Sequence, residues 1–381
     1  MRIGVMTFWW SEDNYGQLLQ CYALQKYLRD LGHDAFLIRY RMKEVAQFGL
    51  KKKLIKYGLH PWRIFDGFRR IASRRRGKED LAAHDRKFGE FRDTYLKMSE
   101  RVYHSIEELR AAPPMADMYI VGSDQVWRFG ETFTEGDVYA MMLDFGPENV
   151  RRISYAASFG RTQLGRNERP ELASLLNRFE AISLREASGI GICAEHGRSD
   201  AVQVCDPTLL VSAGDFSDVA ERQKPTGRYV FCYMLTNDCR FKYPELKRWA
   251  DARELGIVYV TGNSAGNCDY DDGTAERSYL TIPQWLGALA GAEFVVTNSF
   301  HCCVFATHFN RKVGVITLNG AAAGMNTRLD ALDRMLESPL VRIANGGFDS
   351  LEDAASARFV AGASASGREF LNAVLSPGGA A

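Results

Sequence analysis

The sequence predicts an α/β protein built from two parallel-sheet domains that face each other across a cleft. Three observations predict it. Strand-like apolar runs alternate with helix-like runs almost throughout, the rhythm of a parallel sheet with helical crossovers. That rhythm runs twice, on either side of a polar stretch at 212–228 that holds Gly214, Pro225 and Gly227. The chain has 381 residues, enough for two ordinary cores. The expected units are a first domain over 1–215 with a basic helical insertion at about 42–110, a second over 225–345, and a C-terminal helix and tail over 346–381.

The elements follow in order. A first strand is expected at Arg2–Phe8 and a helix at Gly16–Gly32. That helix carries Leu18, Leu19, Ala23, Leu24 and Leu28 on one face, with Gly32 at its C-terminal end. A second strand is expected at Ala35–Tyr40. The segment 42–110 then breaks the rhythm, being long, helical in pattern and basic. Lys51-Lys52-Lys53, Arg69-Arg70 and Arg74-Arg75-Arg76 interleave there with Phe65, Phe68, Phe88 and Phe91. Such a segment either packs its aromatics on the domain and solvates its charges, or offers a surface to anionic lipid or a phosphorylated acceptor. Strands resume at Met118–Gly122 and Arg152–Ser158. A helix at about 170–180 and short strands at Ala181–Leu184 and Val202–Cys205 follow.

The second half repeats the pattern. A strand is expected at Tyr229–Leu235, a helix at Tyr243–Gly256 and a strand at Ile257–Thr261, before an acidic, glycine-rich loop at 262–277. Pro283 sits where proline prefers to open a helix. Strands at Glu293–Thr297 and Lys312–Thr317, then a helix at Thr327–Glu337, complete the half. The Gly/Ala tail beyond Pro377 has no pattern to order it.

Composition narrows the function classes. A net charge of +1 argues against a chain built mainly to bind nucleic acid. The 8 cysteines lie mostly inside apolar runs and form no C-x-x-C pair, which fits reduced, buried thiols in a reducing cytosolic compartment. Met1-Arg2 runs straight into a strand with no leader pattern, and no apolar run approaches the roughly 18–20 residues of a membrane span.

One junction concentrates chemistry. Val295-Val296-Thr297-Asn298-Ser299-Phe300-His301 is an apolar strand ending in small polar residues, with a histidine at the mouth of a helix. Ligands of open α/β sheets bind at that carboxyl end. The helix start supplies free N–H groups and partial positive charge for an anion. The imidazole can move a proton near neutral pH, unless it is simply a core histidine bonded to backbone. Arg185, just after a short strand, offers a planar cation for a carboxylate or phosphate, or else pairs with Glu186. Asn14-Tyr15-Gly16-Gln17 makes a tight turn into a helix, where Gly16 lets backbone approach a ligand; as a plain cap and turn it needs no ligand. Asp124 after Ser123 can act as a base or bind hydroxyls, and Trp127 can stack on a sugar face. An N-cap and a core tryptophan are the alternatives. Asp206 before Pro207 reads as a turn residue, His308 as structural. Cys302 and Cys303 point to different sides of a helix, so no metal site is expected.

These motifs, in this order, resemble the polysaccharide pyruvyl transferase family. The carriers are Asn14–Gln17, Val121-Gly122-Ser123-Asp124-Gln125-Val126-Trp127, Tyr155-Ala156-Ala157-Ser158, Ser183-Leu184-Arg185-Glu186 and Asp206-Pro207-Thr208-Leu209-Leu210. Pro283-Gln284-Trp285-Leu286, Asn298–His301 and Asn326-Thr327-Arg328 complete the set, and all eight together span roughly residues 3–337. The resemblance implies two Rossmann-like domains in the arrangement of B-type glycosyltransferases (GT-B-like). It implies transfer of a pyruvyl group from phosphoenolpyruvate to hydroxyls of a sugar in a polysaccharide or lipid-linked glycan precursor, forming a ketal and releasing phosphate. The donor is a substrate, and neither a cofactor nor a metal is implied.

By the same resemblance, His301, Arg185 and Asp124 are the catalytic candidates. Asn14, Tyr15, Gly16, Gln17, Ser123, Trp127, Ser299, Asn326 and Arg328 are the substrate-binding ones. One position departs from the family pattern. Many members carry an arginine two residues before the histidine, and this chain has Ser299. Arg328, after the glycine-containing loop 319–324, is placed to stand in for it. A cytoplasmic location is expected, with peripheral membrane contact through the basic insertion. Two other functions remain open at this point: a B-type glycosyltransferase using a nucleotide sugar, and a silent glycan-binding module of an export assembly.

Overall fold

The structure, a computed structural model, describes residues 1–42, 83–129, 133–164, 168–221, 227–235, 241–262, 275–318, 326–343 and 347–376. The lysine and arginine clusters of the basic insertion, Phe65 and Phe68, most of the loops at 262–277 and 319–324, and the terminal tail lie outside the described residues, and with them the expected membrane contact.

The first half opens with β1 (Arg2–Met6), α1 (Tyr15–Asp30) and β2 (Asp34–Tyr40). It continues through α2 (Phe88–Tyr95), β3 (Met98–Tyr103), α3 (Ile106–Ala111), β4 (Met118–Val121), α4 (Glu135–Met141) and β5 (Arg151–Ala157). It ends with α5 (Leu172–Leu176), β6 (Ala181–Leu184), α6 (Ala187–Glu195) and β7 (Val202–Gln203). These strands form one parallel sheet in the order β3-β2-β1-β4-β5-β6-β7.

After α7 (Ala213–Val219), the second half runs β8 (Tyr229–Met234), α8 (Tyr243–Asp251), β9 (Gly256–Thr261), α9 (Ile282–Gly291) and β10 (Phe294–Thr297). Then come α10 (Phe300–His308), β11 (Lys312–Ile316), α11 (Asn326–Asp333), β12 (Val341–Ile343) and α12 (Ala365–Leu375). Its parallel sheet has the order β12-β11-β10-β8-β9. Each sheet therefore reverses its winding once, beside β1 and β4 in the first and beside β8 and β10 in the second. Ligands bind at such reversals.

One expectation changes, and two findings add to the others. The late part of the basic insertion is not wholly helical, because 98–103 forms the edge strand β3. Within the polar stretch at 212–228, Ala213–Val219 forms α7. Ser212 caps α7 in a reciprocal box with Asp215, and Phe216 of α7 packs edge-on against Phe305 of α10 with ring centroids 4.8 Å apart. The C-terminal helix returns to the first sheet. A Cβ on Gly367 would lie 2.3 Å from the Tyr155 hydroxyl, and Arg368 bonds the Leu210 carbonyl at 2.6 Å.

The two sheets share one apolar seam. Tyr15, at the start of α1, stacks on Trp285 of α9 (5.1 Å, 14° between planes) and donates its hydroxyl to the Leu280 carbonyl at 2.7 Å. Arg86 reaches across to the Thr261 carbonyl at 2.8 Å. This seam fixes how the carboxyl ends of β1, β4 and β10 face each other.

Candidate functional site

Two helices from opposite halves start at the same point. Asn14 caps α1 by accepting from Gln17 N, and Ser299 caps α10 by accepting from Cys302 N. A Cβ on Gly16 would fall 2.4 Å from Cγ and Nδ1 of His301, so only glycine allows the two helix starts this close. The positive ends of both helix dipoles converge there.

His301 is 6% exposed, and its Nε2 is buried with no hydrogen-bond partner among the described residues. Asp206 lies 3.7 Å from that nitrogen, within ion-pair range and beyond a hydrogen bond. The Asp206 carboxylate divides its work. One oxygen holds the turn, accepting from Thr208 N (3.1 Å) and Thr208 Oγ1 (2.7 Å). The other accepts from Ser123 Oγ (2.8 Å) and Arg185 (3.0 Å) and faces His301. Burial pushes this carboxyl up, but His301 and Arg185 outweigh burial and hold it well below the usual carboxylate range. Asp206 is thus both the turn residue the sequence indicates and a member of the site. Its signal was its place at the carboxyl end of β7.

Arg185 is buried among three carboxylates: Asp206, Glu186 at 3.2 Å and Asp124 at 3.9 Å. Burial works against its charge, and these anions more than compensate. Its remaining guanidinium nitrogen has no hydrogen-bond partner among the described residues. Asp124 follows β4 in a left-handed backbone conformation (φ 76°), which aspartate tolerates better than most residues. Gln17 Nε2 donates to it at 3.2 Å. Burial raises the Asp124 carboxyl, while Arg185, His301 and Arg328 together bring it below its ordinary value. Arg328, half-buried in α11, is pushed down to about 10 by burial and by Arg185.

A cavity of about 220 Å³ lies at these groups, with Arg185 and Asp206 outside its lining. Asn14, Gln17, Asp124, Ser299, His301 and Arg328 line it, joined by Gln125, Asn298 and Phe300, which the sequence places in the same motifs but not among the binders. Ser123 stands behind it, fully buried and bonded to Asp206.

Five predicted binders do not line it: Ser123, Gly16 where the helix starts touch, and Tyr15, Trp127 and Asn326. Tyr15 belongs to the seam between the sheets. Trp127 is fully buried, its Nε1 donating to the Met141 carbonyl at 3.1 Å, so it offers no face to a sugar. Asn326 clasps Leu318, accepting from its N at 3.1 Å and donating to its carbonyl at 2.8 Å, and so ties together the two ends of the loop between them. His308 is structural, its Nε2 donating to the Thr208 carbonyl at 2.8 Å. Among the described residues no group of His, Cys, Asp and Glu could hold a metal ion, and no helix is long and apolar enough to cross a membrane.

A family model described as polysaccharide pyruvyl transferase matches residues 14–320. No protein of curated function matches the chain. Among solved structures, UDP-N-acetylglucosamine 2-epimerase from Rickettsia bellii aligns over 98% of this chain and 96% of its own, with 8% identity and a TM-score of 0.50. The UDP-GlcNAc 2-epimerase of Methanocaldococcus jannaschii, in complex with UDP-GlcNAc and UDP, aligns over 98% and 99%, with 10% identity and a TM-score of 0.50. At such identities the likeness is one of fold, and the fold is GT-B-like.

Proposed function

The chain belongs to the polysaccharide pyruvyl transferase family, and from that premise we propose that it transfers the pyruvyl group of phosphoenolpyruvate to two hydroxyls of one sugar. The observation that carries the reading is the His301 imidazole, which lines a small cavity where two helix starts meet and has its buried Nε2 3.7 Å from the Asp206 carboxylate.

The chemistry sets the roles. A proton goes to the methylene carbon of the donor, which becomes a methyl group, and the adjacent carbon gains oxocarbenium character. One sugar hydroxyl attacks that carbon and a second replaces the phosphate oxygen. The two hydroxyl protons replace the one spent on carbon and accompany the phosphate that leaves. His301 carries the proton to carbon, and Asp206 stabilises the imidazolium. Asp124 accepts a hydroxyl proton or orients the acceptor through Gln17. Arg328 and the two helix starts hold the donor's anionic groups. Arg185 holds Asp124, Asp206 and Glu186 in place.

The test is incubation of the protein with phosphoenolpyruvate and a panel of glycans and lipid-linked sugars, following phosphate release and the mass gained (one pyruvic acid less one water). His301→Ala removes the activity and leaves donor binding. Arg328→Gln weakens donor binding by about tenfold or more, as loss of a charged hydrogen bond does. Binding of nucleoside diphosphates without binding of phosphoenolpyruvate overturns the reading.

A further inference from the structure

A second and larger space opens from the first. It is a groove of about 970 Å³ on the first half, and Phe8, Gln17 and Gln125 border both it and the cavity at His301. One wall is aromatic. Phe8 meets Trp10 edge-on at 5.4 Å and Phe133 at 6.2 Å, and Phe129 meets Phe133 edge-on at 6.1 Å. Phe8 and Trp10 are only half-buried and keep ring surface open. Such a wall takes the C–H face of a sugar ring, with carboxamides at hand for its hydroxyls.

The groove is also basic. Arg128 is exposed and bonds the Gln125 carboxamide at 2.9 Å, with no carboxylate partner among the described residues. Arg161 is exposed and bridges Glu168 at 3.0 Å, a surface pair that an incoming anion can displace. Arg169 is engaged already, with Glu171 at 3.4 Å and over the Phe129 ring.

We propose that this groove is the acceptor site, and that it takes a sugar bearing an anionic group, a phosphate or a carboxylate. The ring lies against Phe8 and Trp10, and the anion meets Arg128 and Arg161. The shared wall then delivers the sugar hydroxyls past Gln17 to Asp124 and the donor carbon. This assignment rests on the transfer reading above, since an acceptor must reach the donor through a space open to its cavity.

The test uses the full chain and three probes: a hexose 1-phosphate, a hexuronate and a neutral methyl hexoside. Binding is read by calorimetry and by the tryptophan fluorescence change expected from Trp10. At least one anionic probe binds tenfold or more tightly than the neutral one, and whichever does names the anion. Arg128→Gln/Arg161→Gln abolishes the preference while phosphoenolpyruvate binding is unchanged, which also shows the variant is folded. Equal binding of all three probes, or a preference that survives in the variant, overturns the assignment. If phosphoenolpyruvate binds and no anionic preference exists, the groove assignment falls and the donor reading stands. If the preference exists and phosphoenolpyruvate does not bind, the donor reading falls and the groove remains an anionic-sugar site.

Discussion

Gly16→Ala puts one methyl carbon where the two halves touch. The new carbon would lie 2.4 Å from Cγ and Nδ1 of His301 and 2.5 Å from His301 Cβ. Turning the imidazole relieves the ring contacts. It does not relieve the third, because Cβ moves only with the backbone of α10. Ordinary contact begins at 3.4 Å, so the helix starts must separate by about 0.9 Å (3.4 minus 2.5). Overpacking of this kind costs about 1–3 kcal/mol. A reacting group displaced by about 1 Å loses on the order of 100-fold in rate. Urea unfolding should therefore show a lower midpoint with an unchanged slope, and ketal formation should fall by about two orders of magnitude. In a His301→Ala background the ring contacts vanish and the Cβ contact stays, so the coupling between the two substitutions isolates the ring's share. A Gly16→Ala protein with the parent's midpoint and the parent's rate would refute the contact between helix starts on which the site depends.

Other perturbations separate structure from chemistry. Asp206→Asn keeps the shape but sets an NH2 group against Ser123 and Arg185, or against Thr208, whichever way the amide turns; breaking this buried pair should cost about 3–5 kcal/mol, and an unshifted urea midpoint would show the pair is not formed. Because Asp206 and Asp124 are both held below their ordinary values, their contribution is whole above about pH 4 and fades as pH falls through the lower folded values; the Asp206→Asn variant should lose part of that acid sensitivity in thermal unfolding. Burial lowers His308 from 6.5 to about 4, so the unfolded chain binds the extra proton between those values. Stability should then drop by up to about 3 kcal/mol as pH falls from 6.5 to 4, and His308→Gln, whose amide can still donate to the Thr208 carbonyl, should flatten that slope. Tyr15→Phe leaves the Leu280 carbonyl without its donor and should cost about 1–2 kcal/mol in urea unfolding with phosphoenolpyruvate binding intact; a loss of donor binding would instead put the Tyr15 hydroxyl in the site.

Much of this architecture is legible in the residues. Apolar runs such as Met118–Val121 and Phe294–Thr297 are buried throughout, as strands covered on both faces must be. Residues at the ends of such strands, Asp124 and His301, could be placed in one cleft from strand ends alone. What escaped has physical reasons. Met98–Tyr103 is an edge strand whose Glu100 and Arg101 face solvent, so its charges imitate the basic insertion before it. Trp127 sits two residues past the site, and nothing in its neighbours shows that its ring turns into the core. Asp206 satisfied a local rule, a side-chain acceptor before a proline turn, and the local rule hid its second oxygen. Tyr15 lies inside a motif whose other members line the cavity, but its ring serves the seam between the sheets.

The charges of the site also account for Ser299. Arg185 is enclosed by Asp124, Asp206 and Glu186, so its charge is spent on carboxylates before any ligand arrives. With Arg328 included, the five ionic groups sum to −1 with His301 neutral and to 0 with it protonated. Serine at 299 bonds Cys302 N and caps α10, which keeps the positive helix end intact beside the imidazole. An arginine there would bring a cation and forfeit that cap. This chain supplies the cation from α11 instead: the Arg328 side chain enters the same cavity, and Asn326 clasps the two ends of the preceding loop. On the transfer reading, Arg328 then serves the donor from a helix whose first residue, Asn326, is pinned to Leu318, rather than from beside the histidine.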